Sequence, residues 1–289
     1  MGMGLTTTRT TMARPSRSAR ILVFIALSVV AALLGSADTS LAQPWRERQG
    51  LGARQQGLLG RALAHLKAAT PQQSHLFFVG FAGYGGQAVF KREVLAVREL
   101  FDGRFGTEGR SIALVNHPST ADQFPLASVG NLDDVLQHVG RLMDVGRDTL
   151  FLFLSSHGEP GIVAVEMPGL ALPQLRPAQL KRMLDRSGIR KRVIVVSACH
   201  SGSFIPALAD PNTLVIAASR ADRSSFGCED RRDWTYFGDA YFNKALREKT
   251  SFRGAFDRAK QLIAEWEARE RLPPSLPQIA GGEALDDLD

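Results

Sequence analysis

Five short apolar runs, separated by stretches of helical spacing, constrain this chain more than any other feature. They are HLFFVGFAG (His75–Gly83), SIALVN (Ser111–Asn116), TLFLFLSSHG (Thr149–Gly158), RVIVVSAC (Arg192–Cys199) and TLVIAAS (Thr213–Ser219). None alternates apolar with polar, so each reads as a strand buried on both faces, which is the signature of a parallel sheet. Helical patterns lie between and after them. They cover Ala88 to Phe101, Leu132 to Met143, RPAQLKRMLDRSG with Gly188 as its stop, FGDAYFNKAL, and FRGAFDRAKQLIAEWEARE. A shorter run, GIVAVEM (Gly161–Met167), alternates like a surface strand. Alternating strands and helices predict an α/β fold, a three-layer α/β/α sandwich with a mostly parallel sheet. The chain's apolar content, 44% of 289 residues, is enough to fill such a core.

The two ends read differently. Arg9, Arg14, Arg17 and Arg20 precede ILVFIALSVVAALL (Ile21–Leu34), and Ser40 and Ala42 then place small residues at −3 and −1 of a cut after Ala42. That order describes a secretory signal over residues 1–42. The apolar run falls short of the roughly 20 residues a membrane span needs. The expectation is an exported protein, periplasmic or secreted, with an anchor at residues 21–34 as the alternative. Residues 43–74 read as a helical lead-in, centred on Gly57 to Ala68. Residues 75–270 read as the main domain, and 271–289 as a Pro-rich, then acidic tail with partial disorder.

Charge adds little. Removing residues 1–42 would take away four arginines and Asp38, so the formal +6 falls to +3. The one dense basic cluster, Arg186 to Arg192, falls between a helix and a strand, where a solvated turn explains it. With no base-reading motif and no aromatic-interleaved basic stripe, nucleic acid is excluded as a partner. Membrane contact is expected only through the leader, if that is retained. Oligomeric state is not written in the sequence.

Chemistry gathers where strands end. In parallel α/β sheets, sites form outside the carboxyl ends of the strands. Ser155, Ser156, His157 and Gly158 end one strand, and Ser197, Ala198 and Cys199 end another. Cys199 and His200 are adjacent, but consecutive residues leaving an extended strand point to opposite faces. A general base must come within ~2.6–3.2 Å of the proton it takes. The expected base for a Cys199 nucleophile is therefore His157, delivered by a neighbouring strand. His200 is expected to cover the start of the next segment. The Gly158 and Cys199 backbone N–H groups are candidates to face a developing oxyanion.

Other readings of the same residues stand beside this one. A cysteine ending a buried strand can be a small hydrophobe and nothing more. A metal site from His157, Cys199, His200 and Cys228 lacks the usual ligand spacing. GYGGQA (Gly83–Ala88) fits a dinucleotide pattern, but the second strand ends in Asn116 and His117 rather than the carboxylate such a site needs. A tight strand-to-helix turn explains those glycines. No cofactor and no metal are expected.

Four blocks in order resemble a known family. FLFLSSHGEPGIVAV, VIVVSACHSGSF, TLVIAASRADRSSFGC and TYFGDAYF are similar to those of the legumain-type cysteine peptidases, peptidase family C13, in an exported, bacterial-type member. The resemblance implies a caspase-like fold, His157 as catalytic histidine, Cys199 as nucleophile, and an oxyanion site at Gly158 and Cys199. It implies cysteine-type endopeptidase activity through an acyl-thioester on a protein or peptide substrate. A transpeptidase of the same fold and a non-catalytic envelope binding module are the alternatives. The family's specificity pocket maps onto Ser197, Ser224, Ser225 and Asp239. At Ser197 the family carries an acid, and the family's arginine after the first strand falls near Phe90, Lys91 and Arg92. Cys228 is then expected to be a free thiol.

Overall fold

The computed structural model describes residues 1–2, 38–249 and 251–285, with side chains from residue 51 onward apart from the first two. The arginines and apolar run of the leader lie outside the described residues. The chain divides into two units, Met1–Ala53 and Arg54–Asp289. In the first, the described backbone enters helix α1 (Asp38–Ala64). That helix starts earlier and ends earlier than the predicted 57–68, and its Ala, Leu, Gln and Arg content favours helix along the whole run. Among the described residues, no helix is long and apolar enough to cross a membrane.

The second unit is built on β1 (Leu76–Ala82), β2 (Ser111–Val115), β3 (Thr149–Ser155), β6 (Lys191–Ser197), β7 (Thr213–Ala217) and β8 (Gln278–Ala280). A two-stranded hairpin, β4 (Gly158–Glu159) with β5 (Ile162–Val163), follows β3 directly. Sheet order is β2-β1-β3-β6-β7-β8, parallel except for β8. The helices are α2 (Ala88–Arg104), α3 (Val129–Leu142), α4 (Pro177–Arg186), the short α5 (Ile205–Leu208), α6 (Tyr236–Gly238), α7 (Leu246–Glu248) and α8 (Phe252–Glu270). Asp239–Ala245, between α6 and α7, is π-helical.

The strands are apolar throughout because both faces are covered. Leu150, Leu152 and Leu154 of β3, with Ile194 and Val196 of β6, pack into one core with Leu132, Val135 and Leu136 of α3 and Leu180 and Leu184 of α4. Phe151 and Phe153, with Val193 and Val195, pack into the other core with Val94 and Val97 of α2 and Phe252, Phe256 and Ile263 of α8. Period-two side-chain alternation thus sends successive residues into opposite layers, and the expected α/β/α sandwich results.

The tail departs from expectation. Gln278–Ala280 pairs antiparallel with β7 from Val215 to Ala217, and Leu285 is buried. β7 would otherwise expose an unpaired edge, and β8 covers it.

Candidate active site

Register places the two candidate residues at one level. β3 and β6 are adjacent and parallel, and Ser155 is paired with Ser197, so His157 and Cys199 each follow the paired serines by two residues. Ser156 N–H donates to the Ser197 carbonyl (3.1 Å), extending the pairing past the strand ends.

Gly158 then lies directly on the Cys199 backbone. A Cβ there would stand 2.4 Å from the Cys199 carbonyl oxygen and 3.0 Å from Ala198 Cβ, so only glycine fits. In the hairpin, Ala164 N–H donates to the His157 carbonyl (2.9 Å). Antiparallel pairs alternate between bonded and unbonded. The Gly158–Val163 pair is therefore the unbonded one, and the Gly158 N–H points away from β5. Consistent with this, Val163 N–H is spent on Leu175 (2.9 Å). Ser203 ties the two strand ends together further on: its hydroxyl donates to the His200 carbonyl (2.6 Å) and accepts from Gly161 N–H (3.0 Å).

His157 is half-buried and held on several sides. Its ring packs edge-on against Tyr84 (4.6 Å between centroids) and Phe90 (5.0 Å). Nε2 lies 2.5 Å from Oε1 of Gln87. An amide oxygen accepts, so Nε2 carries the proton and Nδ1 is left as the basic nitrogen. Burial lowers the imidazole's pKa, and the Glu166 carboxylate opposes that shift. Gln87 occupies the N-cap position of α2 without capping it. The Asp230 carboxylate caps instead, accepting from Ala88 N–H (2.6 Å).

Cys199 is a free, half-buried thiol. Ser225 N–H meets Sγ at 3.3 Å, and the Ser225 carbonyl lies 3.5 Å from the sulfur. His200 turns away, through a turn rather than strand alternation, since β6 ends at Ser197. It adopts a left-handed conformation (φ 57°), and its Nδ1 lies 3.0 Å from the Ala221 carbonyl. Cys228 is also free, and burial pushes its thiol pKa up.

The remaining predicted residues are dispersed. Ser225 reaches Cys199. Ser224 is exposed and lines a cleft of about 190 Å³ with Arg223, Phe226 and Pro273. Asp239 accepts from Asn243 Nδ2 (2.7 Å) and lines a separate cleft of about 200 Å³ with Arg232, Tyr236, Trp266 and Arg269. Among the described residues, no hydrogen bond or ion pair joins Asp239 to Cys199 or Ser225. The π-helical stretch begins at Asp239, and its carboxylate bonds within that stretch. Lys91 donates to Ser119 (2.8 Å), and Arg92 grips the Asp230 and Arg232 carbonyls, so neither points at the sulfur.

Ser197 is buried, with its hydroxyl 3.2 Å from Thr235 Oγ1. Where the resemblance leads one to expect an acid, a carboxyl arrives from another element. Glu93 of α2 is fully buried and accepts from Ser155 (3.0 Å) and from Thr235 N–H (2.7 Å), so it reaches Ser197 through their shared partner Thr235.

The model for the Peptidase C13 family matches residues 119–280, more than half of the chain. The chain belongs to the Peptidase C13 family. The match takes in both His157 and Cys199. Among curated relatives of this family member are a hemoglobinase from Schistosoma japonicum and a vacuolar-processing enzyme from Ricinus communis. The first is 34% identical over 108 residues, which is 35% of this chain and 25% of that protein. The second is 34% identical over 115 residues, 37% of this chain and 22% of that protein. The matched stretch thus spans about a quarter of these relatives' length. The crystal structure of caspase-1 from Spodoptera frugiperda superposes with a TM-score of 0.50 at 13% identity, covering 74% of this chain and 93% of that one. The family and the caspase-like fold implied by the sequence blocks are both borne out.

Proposed function

We propose that the protein is a cysteine peptidase acting on peptide bonds of a protein or peptide, with Cys199 as nucleophile and His157 as base. The observation that carries this reading is the seating of Gly158 against the Cys199 carbonyl. It fixes the strand end bearing the base onto the strand end bearing the thiol. Family membership supports the same chemistry.

Nδ1 takes the thiol proton, and the thiolate attacks the substrate carbonyl. The outward-pointing Gly158 N–H, together with the Cys199 N–H, receives the oxyanion. Losing one such donor typically costs ~10²–10³ in rate. The histidinium returns its proton to the leaving amine, leaving a thioester that water cleaves with His157 again as base. Gln87 holds the ring throughout, so the base needs no reorientation between steps.

The test is labelling of Cys199 by a peptidyl electrophile, in the wild-type chain and in His157→Ala, each shown to be folded by circular dichroism. Wild type is expected to label and His157→Ala to label at least tenfold more slowly. If neither folded protein labels, the reading fails. The basic, apolar and small-residue order of residues 1–42 supports export as part of the same proposal, and sequencing the mature N-terminus after expression tests it. A chain still beginning at Met1 in the soluble cytoplasmic fraction contradicts it.

A further inference from the structure

Glu93 lies outside the machinery just described, yet it reaches both strands that carry it. Its carboxyl accepts from Ser155, two residues before His157, and from Thr235 N–H, and Thr235 Oγ1 lies 3.2 Å from the hydroxyl of Ser197, two residues before Cys199. Those two serines are register partners. The second oxygen takes Thr235 N–H, and Thr235 Oγ1 in turn accepts from Gly238 N–H at the head of α6. A Cβ at Gly238 would lie 2.1 Å from Glu93 Oε2, so the glycine clears the space that the carboxyl occupies.

Glu93 sits six residues beyond Gln87, which binds His157. One helix therefore holds the base at its start and, one turn on, the β3 end directly and the β6 end through Thr235.

We propose that Glu93 is a positioning residue for the reaction: its buried carboxyl holds Ser155 directly and Ser197 through Thr235, clamping the two strand ends together and so setting the height of His157 against Cys199. This rests on the peptidase reading for its consequence in turnover, but not for the coupling itself. An ionised carboxylate accepts from every donor around it, and such charge-assisted bonds are roughly twice as strong as neutral ones. A neutral carboxyl must itself donate once, so one of the donors now aimed at it loses its acceptor, and the clamp loosens.

The groups facing Glu93 are uncharged: Ser155 of β3, Ser197 of β6, and Thr235 and Gly238 at the head of α6. Burial, with no cation to oppose it, raises the carboxyl's pKa to about 7. The clamp therefore tightens as pH rises across neutrality.

The experiment uses the full chain in a Cys228→Ser background. It measures kcat and KM on a cleaved peptide and, separately, the rate of Cys199 alkylation by iodoacetamide, both from pH 5 to 9. Glu93→Gln fixes the neutral state. It is expected to lower kcat roughly 10- to 100-fold at pH 8 with KM within about twofold, since a displacement of about 1 Å costs about 10²-fold. It is also expected to remove an inflection near pH 7 from both profiles. Ser155→Ala removes a donor to the carboxylate and should move that inflection to higher pH, which keeps the test alive if Glu93→Gln fails to fold. A folded Glu93→Gln with the wild-type profile, or Ser155→Ala with an unmoved inflection, overturns the proposal. Absence of peptide cleavage alongside a shifted alkylation profile would overturn the peptidase reading while leaving the clamp standing.

Discussion

Gln87 Oε1 lies 2.5 Å from Nε2 of His157, and that contact fixes which ring nitrogen is basic. Removing the amide in Gln87→Ala frees the ring to rotate and exchange tautomers. The expected result is a kcat lowered about 10- to 100-fold with KM nearly unchanged, because positioning is lost while binding surface is kept. Gln87→Glu makes a sharper test. A carboxylate beside the ring favours imidazolium, so the acid limb of the kcat/KM–pH profile should move to higher pH. A limb that stays in place would mean that this contact does not govern the base.

Gly158→Ala should separate folding from chemistry. The new Cβ meets backbone at the Cys199 carbonyl (2.4 Å) and the Ala198 side chain (3.0 Å), neither of which is a flexible tip. Overpacking of this kind costs about 1–3 kcal/mol. Denaturant titration should show that loss, and labelling of Cys199 should fall further than the stability change explains. In the proposed mechanism, the displaced Gly158 N–H would no longer meet the oxyanion.

The strands, their neighbours and the placing of His157 and Cys199 at adjacent strand ends were legible because each announces itself locally. Apolar runs without alternation specify burial on two faces, and strand ends in a parallel sheet specify the rim. Gln87 and Glu93 were not legible in that way, since their partners lie 70 and 62 residues away in sequence. Glu93 did carry a signal. It shares the inward stripe of α2 with Val89, Phe90, Val94 and Val97, all buried, where a solvated glutamate has no place. Gln87 was hidden inside GYGGQA, whose glycines drew attention to a phosphate-binding pattern. β8 was hidden by its short length and by the prolines before it, which mimic an irregular tail. Asp239 shows the opposite failure. Its block fits the family pattern, but the π-helical winding that starts there holds its carboxylate against Asn243.

His157 predicts how stability responds to acid. Burial lowers its pKa in the folded state, so below the ordinary value of 6.5 the unfolded chain binds the proton more readily. Its contribution is fully present above pH 6.5 and declines as pH falls through the lowered folded value. His157→Gln cannot titrate. The stability difference between wild type and this variant should therefore shrink in wild type's disfavour on acidification from pH 7 to 5, read by denaturant midpoints. Equal slopes for the two proteins would contradict it.

Restoring an acid at position 197 should harm the protein rather than improve its pocket. Ser197 is 3% exposed, and its partner Thr235 is also a partner of Glu93. A carboxyl there would face Glu93 with no cation between them, and two like charges in one buried site cannot both ionise. Ser197→Asp is expected to lose about 1–3 kcal/mol at pH 8, the range for burying an unpaired group. The loss should lessen at pH 5, where both carboxyls are protonated. Pairing it with Glu93→Gln removes one of the two charges, and a double-mutant cycle should then show recovery of at least about 0.5 kcal/mol. Strict additivity would mean that the two positions do not share a site, and the acid missing from position 197 would then have no substitute on α2.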